Sequence, residues 1–131
     1  MPEEYPEGGR PVRTVLVVED DPSLRSLLQQ YLSQQGLGVV LESDGYRALQ
    51  HFDPTHAPPD LILTDVSLPG LNGYELLGEV RRRRPRLPVV FLTGLSDNGV
   101  ENAAAPRPDA ILKKPIRLAE LGEVVLGLLE R

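Results

Sequence analysis

The sequence predicts an α/β protein with a single domain, built as a doubly wound, five-stranded parallel sheet with helices on both faces. Short apolar runs rich in β-branched residues alternate five times with segments whose apolar side chains recur at helical spacing. Such continuous apolar runs suit strands that are buried on both faces. Parallel neighbours need a crossover helix between them, and the intervening segments supply one each time. The length of 131 residues fits one domain.

The strands are predicted from apolar runs bounded by turn residues. They cover residues 14–18, 39–41, 61–64, 89–92 and 110–113. The helix after the first strand begins where Asp21 can cap it and Pro22 fits its first position. Gly36 suits the position beyond its end, which completes the first strand–helix unit.

The remaining helices are indicated by apolar stripes, caps and breakers. The second covers residues 45–52, with an apolar side formed by Tyr46, Leu49 and Phe52. The third begins after the candidate cap Asn72 and runs to about residue 84, and the last has its apolar stripe at residues 118–129. A short helix is predicted at residues 97–105, closed early by the prolines that follow.

Composition excludes several classes of protein. The chain has no cysteine, which excludes disulfides, thiolate metal ligands and a cysteine nucleophile. No apolar run reaches the length of a membrane span. Residues 1–11 are predicted to form a flexible polar lead, without the apolar core of a signal peptide. We therefore expect a cytoplasmic protein with no membrane contact.

The charge balance argues against nucleic acid as a partner of this domain, because the formal net charge is -5. The exception is the arginine run at residues 81–84. Cations complement the dipole at the carboxyl end of a helix. No second basic cluster or interleaved aromatic accompanies the run in the sequence, so we interpret it as a solvated helix end.

Reactive side chains fall where the predicted strands end. The functional crevice of such a sheet lies at the carboxyl ends of its strands. Six candidate residues come there: Glu19, Asp20, Asp65, Thr93, Lys113 and Lys114. Any one of them alone is more simply explained as a turn, a cap or a solvated residue. Complementary groups at four strand ends together favour a site.

The carboxylates predict the chemistry of this crevice. Three carboxylates close together repel one another unless a cation joins them. Their oxygens suit Mg²⁺, which also shares phosphate oxygens. One carboxylate can then attack phosphorus, while a lysine and a hydroxyl bind the other phosphoryl oxygens. The set therefore predicts Mg²⁺-dependent phosphoryl transfer to an aspartate.

Four segments resemble the receiver domains of response regulators in two-component signalling. They are VLVVEDD at residues 15–21, LILTDVSLPGLNGYELL at 61–77, VVFLTG at 89–94 and ILKKP at 111–115. Their order and spacing match the family, and the resemblance covers residues 12–129. It implies a flavodoxin-like fold with strand order 2-1-3-4-5 and a receiver domain at residues 12–131.

The resemblance also implies the metal ligands. Asp65 is the expected phosphoacceptor and a ligand of Mg²⁺. Asp20 is expected to bind the ion directly, and Glu19 through water. Ser67, two residues after the phosphoacceptor, would supply a backbone carbonyl.

Two further side chains are expected to act on the phosphoryl group. Thr93 resembles the switch hydroxyl of the family, and Lys114, before Pro115, resembles its phosphate-pairing lysine. Lys113 is the alternative, but alternation along a strand points it away from the crevice.

Two positions affect the expected behaviour of the switch. Ile111 occupies the place where receivers commonly carry a rotating aromatic, and we expect this branched side chain to stay packed. Ser67 and Leu95 correspond to the residues that flank the path of the hydrolytic water. Because Leu95 cannot orient water, we expect slow self-dephosphorylation.

The resemblance implies a signalling phosphoacceptor rather than a metabolic enzyme. Its expected partner is a sensor histidine kinase or a phosphotransfer protein, and the lead-in and the short region after the fourth strand resemble C-terminal receivers of hybrid kinases. The alternatives are a pseudo-receiver that binds a protein without phosphorylation, an aspartyl-phosphate enzyme and a flavin module. The complete acidic set argues against the first. Ser67, in place of a second acid, argues against the second.

Overall fold

The computed structural model describes residues 12–94 and 106–131 and contains a five-stranded, all-parallel sheet. Its strands are β1 (Thr14–Val18), β2 (Gly38–Glu42), β3 (Leu61–Asp65), β4 (Val89–Thr93) and β5 (Ala110–Lys113). The order β2-β1-β3-β4-β5 confirms the predicted flavodoxin-like, doubly wound fold. The predicted lead at 1–11, the predicted helix at 97–105 and Leu95 lie outside the described residues.

Four α-helices occur in this part of the chain. They are α1 (Pro22–Gln34), α2 (Gly45–Leu49), α3 (Gly73–Arg83) and α4 (Leu118–Leu129). The helix predicted over residues 45–52 is α2 followed by a 3₁₀ turn at Gln50–Phe52. The Asp21 and Asn72 side chains accept from backbone N–H groups of α1 and α3, as the caps predicted. None of the helices described here has the length and apolar character needed to span a bilayer.

Apolar side chains cover both faces of the sheet. Alternate residues of one strand point to opposite faces, so Val15 and Val17 lie on one side of β1, and Leu16 and Val18 on the other. The first side packs against α1 and α4 through Leu28, Leu32, Leu121 and Val125. The second packs against α2 and α3 through Ala48, Leu76, Leu77 and Val80. Each fully buried leucine or valine contributes about 2 kcal/mol.

Two apolar side chains are more exposed than the sequence predicted. Tyr46 was expected on the inner side of its helix, but it is 62% exposed and its ring lies over Gly70, while Ala48 faces the core. Ile111 was expected to stay packed, but it is 45% exposed. Ile111 lies on β5, the edge strand that pairs only with β4 in the described sheet, so a neighbouring strand contributes side chains on one side of it alone.

Candidate functional site

The turn after β1 holds two of the predicted acids. The Glu19 N–H donates to Glu42 O at 3.0 Å, which continues the pairing of β1 and β2 by one residue. The Glu19 side chain is fully buried, and its Oε2 accepts from the Asp21 N–H at 3.0 Å. Arg25 Nη1 on α1 donates to Glu19 O at 2.8 Å. Asp20 is exposed between these anchored neighbours and faces solvent at the edge of the sheet.

Asp65 is the last residue of β3, whereas the sequence pattern predicted that this strand ends at residue 64, with Asp65 just after it. It lies opposite Leu92 of β4 and is only 3% exposed. The beginning of α3 presses against its backbone, because the Gly73 N–H donates to Val66 O at 2.8 Å. A Cβ at Gly73 would lie 2.5 Å from Asp65 O, so this close approach requires glycine.

The carboxylates and one lysine converge at this edge of the sheet. One oxygen each of Glu19, Asp20 and Asp65 lies within 4.8 Å of the others. Lys114 Nζ lies 2.8 Å from Asp65 Oδ1 and 3.4 Å from Glu19 Oε1. The amine at the cluster therefore comes from Lys114, while the Lys113 side chain is exposed.

Thr93 and Ser67 lie at the rim of the cluster. Thr93 is the last residue of β4, and its carbonyl accepts from the Lys114 N–H at 2.7 Å. Ser67 is exposed and lines a cavity of about 560 Å³ together with Asp20, Val66, Leu68, Pro69 and Asn72. This cavity reaches the acidic cluster at Asp20 and opens it to solvent.

Three buried oxygens of the cluster lack a hydrogen-bond donor in the described structure: Glu19 Oε1, Asp65 Oδ1 and Asp65 Oδ2. The contact from Lys114 to Asp65 is an ion pair at 2.8 Å without hydrogen-bond geometry. A buried polar group without a partner costs about 1–3 kcal/mol. The unpaired oxygens therefore lower the free energy of unfolding, and a bound cation would remove this loss of stability.

The pKa values of the two buried carboxyls, Asp65 and Glu19, are shifted in opposite directions. The pKa of Asp65 is raised to about 8, chiefly by burial and also by the neighbouring Glu19, against the opposing effect of Lys114. Burial also raises the pKa of Glu19, but the adjacent Asp65 carboxyl, the hydrogen bond from the Asp21 amide and the charge of Lys114 bring it below its ordinary value. In the metal-free protein, Asp65 is thus the carboxyl of this pair that retains a proton.

The donor set fits a hard divalent cation. The three carboxylates supply only oxygen atoms, which are the ligands that Mg²⁺ prefers. The unpaired buried oxygens of Glu19 and Asp65 are available to it, and exposed Asp20 leaves room for the waters that Mg²⁺ retains. The residues present therefore fit Mg²⁺.

The sequence matches the family description of the response regulator receiver domain across residues 15–126. The chain belongs to this family. The receiver assignment made from the four sequence segments is therefore confirmed, and with it the assignment to two-component signalling.

Curated relatives include regulators and sensor kinases. This receiver is 33% identical over 136 aligned positions to the transcriptional regulatory protein TrcR of Mycobacterium tuberculosis, covering 100% of the chain and 50% of TrcR. It is 34% identical over 112 positions to the autoinducer 1 sensor kinase/phosphatase LuxN of Vibrio campbellii, covering 86% of the chain and 13% of LuxN. The chain thus spans half of one relative and a small part of the other.

Solved receiver domains have the same architecture. A putative response regulator from Chloroflexus aurantiacus is 31% identical, with a TM-score of 0.80 over 92% of this chain and 99% of that one. The receiver domain of a sensor histidine kinase from Pseudomonas aeruginosa is 29% identical, with a TM-score of 0.81 over 92% and 99% of the two chains. That crystal structure has a magnesium ion coordinated in its active-site cleft.

Sequence reasoning missed Arg25 as a neighbour of the site. A helical side chain points back toward the amino end of its helix. Arg25 lies in the first turn of α1, four residues after Asp21, so this rule directs its guanidinium at the acidic turn. The four-residue spacing between Asp21 and Arg25 could therefore have predicted this contact.

Proposed function

We propose that this receiver domain accepts a phosphoryl group on Asp65 from a histidine of a sensor kinase or phosphotransfer protein, in a Mg²⁺-dependent reaction. The observation that carries the proposal is the state of the Asp65 carboxylate. It is buried at a strand end with both oxygens lacking a hydrogen-bond donor, beside two further carboxylates and a lysine. A residue that served only the fold would have its oxygens paired.

In the proposed reaction, an Asp65 oxygen attacks phosphorus and the P–N bond to the histidine of the donor breaks. Asp20, Asp65 and the Ser67 carbonyl would hold the ion directly, and Glu19 through water. Mg²⁺, when bound, neutralises the clustered carboxylates and shares phosphoryl oxygens. With the ion bound, the Asp65 proton would leave to solvent, and the resulting carboxylate could attack phosphorus.

Two side chains are proposed to bind the transferred group. The Lys114 amine is already 2.8 Å from an Asp65 oxygen and can pair with a phosphoryl oxygen with little movement. Thr93 offers a hydroxyl at the end of the neighbouring strand. Fixed cationic and hydroxyl donors near the developing charge stabilise phosphoryl transfer.

The pseudo-receiver remains the second candidate function, and the retained acids argue against it. A domain that served only to bind a protein would gain stability from an apolar or amide residue at position 65, because buried like charges are costly. We also retain the expected cytoplasmic location, which suits a domain whose proposed phosphoryl donor is a sensor kinase or a phosphotransfer protein.

The test is incubation with acetyl phosphate and Mg²⁺, followed by intact mass measurement. We expect wild type to gain one phosphoryl group and Asp65→Asn to gain none. Asp60→Asn is the matched control, because Asp60 lies just before the other end of the same strand. A phosphoryl gain that persists in Asp65→Asn would refute the assignment of Asp65, and no gain in wild type would favour the pseudo-receiver.

A further inference from the structure

The arginine run at the end of α3 divides into paired and unpaired side chains. Arg81 pairs with Asp109 at 2.9 Å, while Arg82 and Arg83 pair with Glu79 at 3.2 and 2.9 Å. Arg84 and Arg86 are exposed, and their side chains make no ion pair or hydrogen bond within the described structure. The interpretation as a solvated helix end thus fits Arg84, while Arg86 lies beyond the run, and both side chains remain available to a ligand.

The two unpaired arginines stand at a groove with an apolar floor. A cavity of about 340 Å³ lies between the loop before β3 and the loop before β4. This proline–arginine groove is lined by Pro58, Pro59, Pro85 and Leu87, by the two unpaired arginines Arg84 and Arg86, and by Arg83, which is paired with Glu79. Proline has no backbone N–H, so the three prolines offer apolar surface and no amide donor.

A second cavity of about 250 Å³ shares Arg86 with the groove. Arg13, Arg131, Asp60 and Asp109 line this cavity as well, so it carries charges of both signs. Arg13 precedes β1 and Arg131 follows α4, and the two ends of the described chain meet where the Arg13 guanidinium donates to Leu129 O at 2.6 Å. Basic residues that are distant in sequence thus come together with aspartates at this end of the sheet.

We propose that the proline–arginine groove binds an acidic peptide segment of a partner protein. The carboxylates of the peptide would pair with Arg84 and Arg86, and its apolar side chains would fill the cavity over the prolines. A guanidinium offers two parallel N–H groups that match a carboxylate. The groove thus presents complementary charge at its rim and complementary apolar surface at its floor.

Two observations favour a peptide over a nucleic acid at this surface. The net charge of -5 repels a polyanion at long range, so local arginines must act on a short ligand. The floor also consists of proline and leucine, which offer nothing to a phosphate backbone. An acidic segment with apolar side chains uses both parts of the groove.

The groove lies at the opposite end of β3 from Asp65. Pro58 and Pro59 precede the strand and Asp65 ends it, and five residues of strand span roughly 16 Å. A peptide in the groove therefore leaves the acidic cluster open. This inference does not depend on the proposed phosphorylation, and the two can fail separately.

The probe for the test is a short fluorescein-labelled peptide that alternates glutamate with leucine, followed by fluorescence anisotropy. We expect saturable binding to wild type that weakens with added salt, because exposed ion pairs are screened. The double variant Arg84→Ser with Arg86→Ser should bind at least about tenfold more weakly. The matched control is Arg82→Ser with Arg107→Ser, which removes the same charge from exposed positions outside the groove and should change the affinity less than about twofold.

Parallel titrations distinguish other occupants. A polyglutamate peptide of equal length should bind more weakly than the glutamate–leucine peptide, because it cannot use the apolar floor. Equal binding of the two peptides, or equal weakening in both double variants, would overturn the proposal in favour of nonspecific charge attraction. Tighter binding of a DNA duplex or of phosphatidylserine vesicles would overturn it in favour of a nucleic acid or a membrane surface. Circular dichroism spectra and thermal melts of both double variants verify that they are folded.

Discussion

Two aspartates flank the third strand, and their surroundings are opposite. Asp60 precedes β3, where its Oδ2 accepts from the Thr14 N–H at 2.8 Å and its own N–H donates to Thr14 O at 2.8 Å. Asp65 ends β3 with both carboxylate oxygens lacking a donor. The same residue type is therefore satisfied at one end of the strand and unsatisfied at the other.

The direction of a parallel sheet explains this difference. The amino ends of its strands present unpaired backbone N–H groups, and the carboxyl ends present unpaired carbonyls. At the amino end, Asp109 also accepts a backbone N–H, that of Val89, at 2.8 Å. At the carboxyl end, the carbonyls of Glu42 and Thr93 take the backbone N–H groups of Glu19 and Lys114, at 3.0 and 2.7 Å. A carboxylate stabilises the first end and needs a cation at the second.

The largest expected effect is stabilisation by Mg²⁺, which tests whether the carboxyl end needs a cation. At a Mg²⁺ concentration about 100 times its Kd, the free energy of unfolding should rise by about 2.7 kcal/mol. Thermal melts with and without the ion measure this. Asp20→Ala should lose most of the gain, and Asp60→Asn should keep it. An equal gain in Asp20→Ala would place the ion elsewhere.

The amino end should respond in stability alone. Asp109→Ala removes the acceptor of the Val89 N–H and the partner of Arg81, so the free energy of unfolding should fall by about 2 kcal/mol. Asp109→Asn keeps an oxygen acceptor and should lose about half as much. Urea unfolding measures both. A lower extent of phosphorylation in the folded Asp109→Ala protein would contradict the separation of the two ends.

The third prediction concerns pH in the absence of metal. The pKa of Asp65 is raised from 3.8 to about 8 on folding. Its contribution to stability is therefore fully present below pH 3.8 and is lost as the pH rises through 8. Glu19 has a lowered pKa, so its contribution is lost only as the pH falls below its ordinary value of 4.5.

Denaturant titrations of wild type and Asp65→Asn at a series of pH values isolate this effect. The stability of wild type relative to the variant should decline by at least about 1.4 kcal/mol between weakly acidic and weakly alkaline pH, which is the equivalent of one pKa unit. Saturating Mg²⁺ should flatten the curve. Parallel pH curves for the two metal-free proteins would show that Asp65 ionises normally.

The smallest effect is expected at Arg25, which holds the acidic turn from outside it. Arg25→Met removes the hydrogen bond to Glu19 O and should weaken Mg²⁺ binding about threefold, or roughly 0.6 kcal/mol. Arg25→Lys should recover part of the affinity. Amide chemical shifts of Asp20 during Mg²⁺ titration report the Kd. An unchanged Kd in both variants would show that Arg25 does not affect the binding of Mg²⁺ and serves only the stability of α1.

Sequence patterns predicted the fold and the location of the site for a physical reason. Buried parallel strands are continuous apolar runs, and their topology alone brings Glu19, Asp65 and Lys114 to one edge. The predicted strand order already placed Ile111 on the edge strand, but its residue type favoured packing, so its exposure was missed. The proline–arginine groove was missed because its two walls are the loops before β3 and β4, which meet only in the fold. Both features depend on contacts between residues that are distant in sequence, which a single sequence does not reveal.

The approach of Gly73 to Asp65 has a consequence for the genetics of this domain. A methyl group at position 73 would meet the Asp65 carbonyl at 2.5 Å, so the strand end would have to shift. An allele with alanine there would impair the domain while leaving every charged residue intact. Searches for damaging variants that consider only acidic and basic residues would overlook this codon. Glycine alone, with a hydrogen atom in place of a Cβ, fits at position 73 without such a shift.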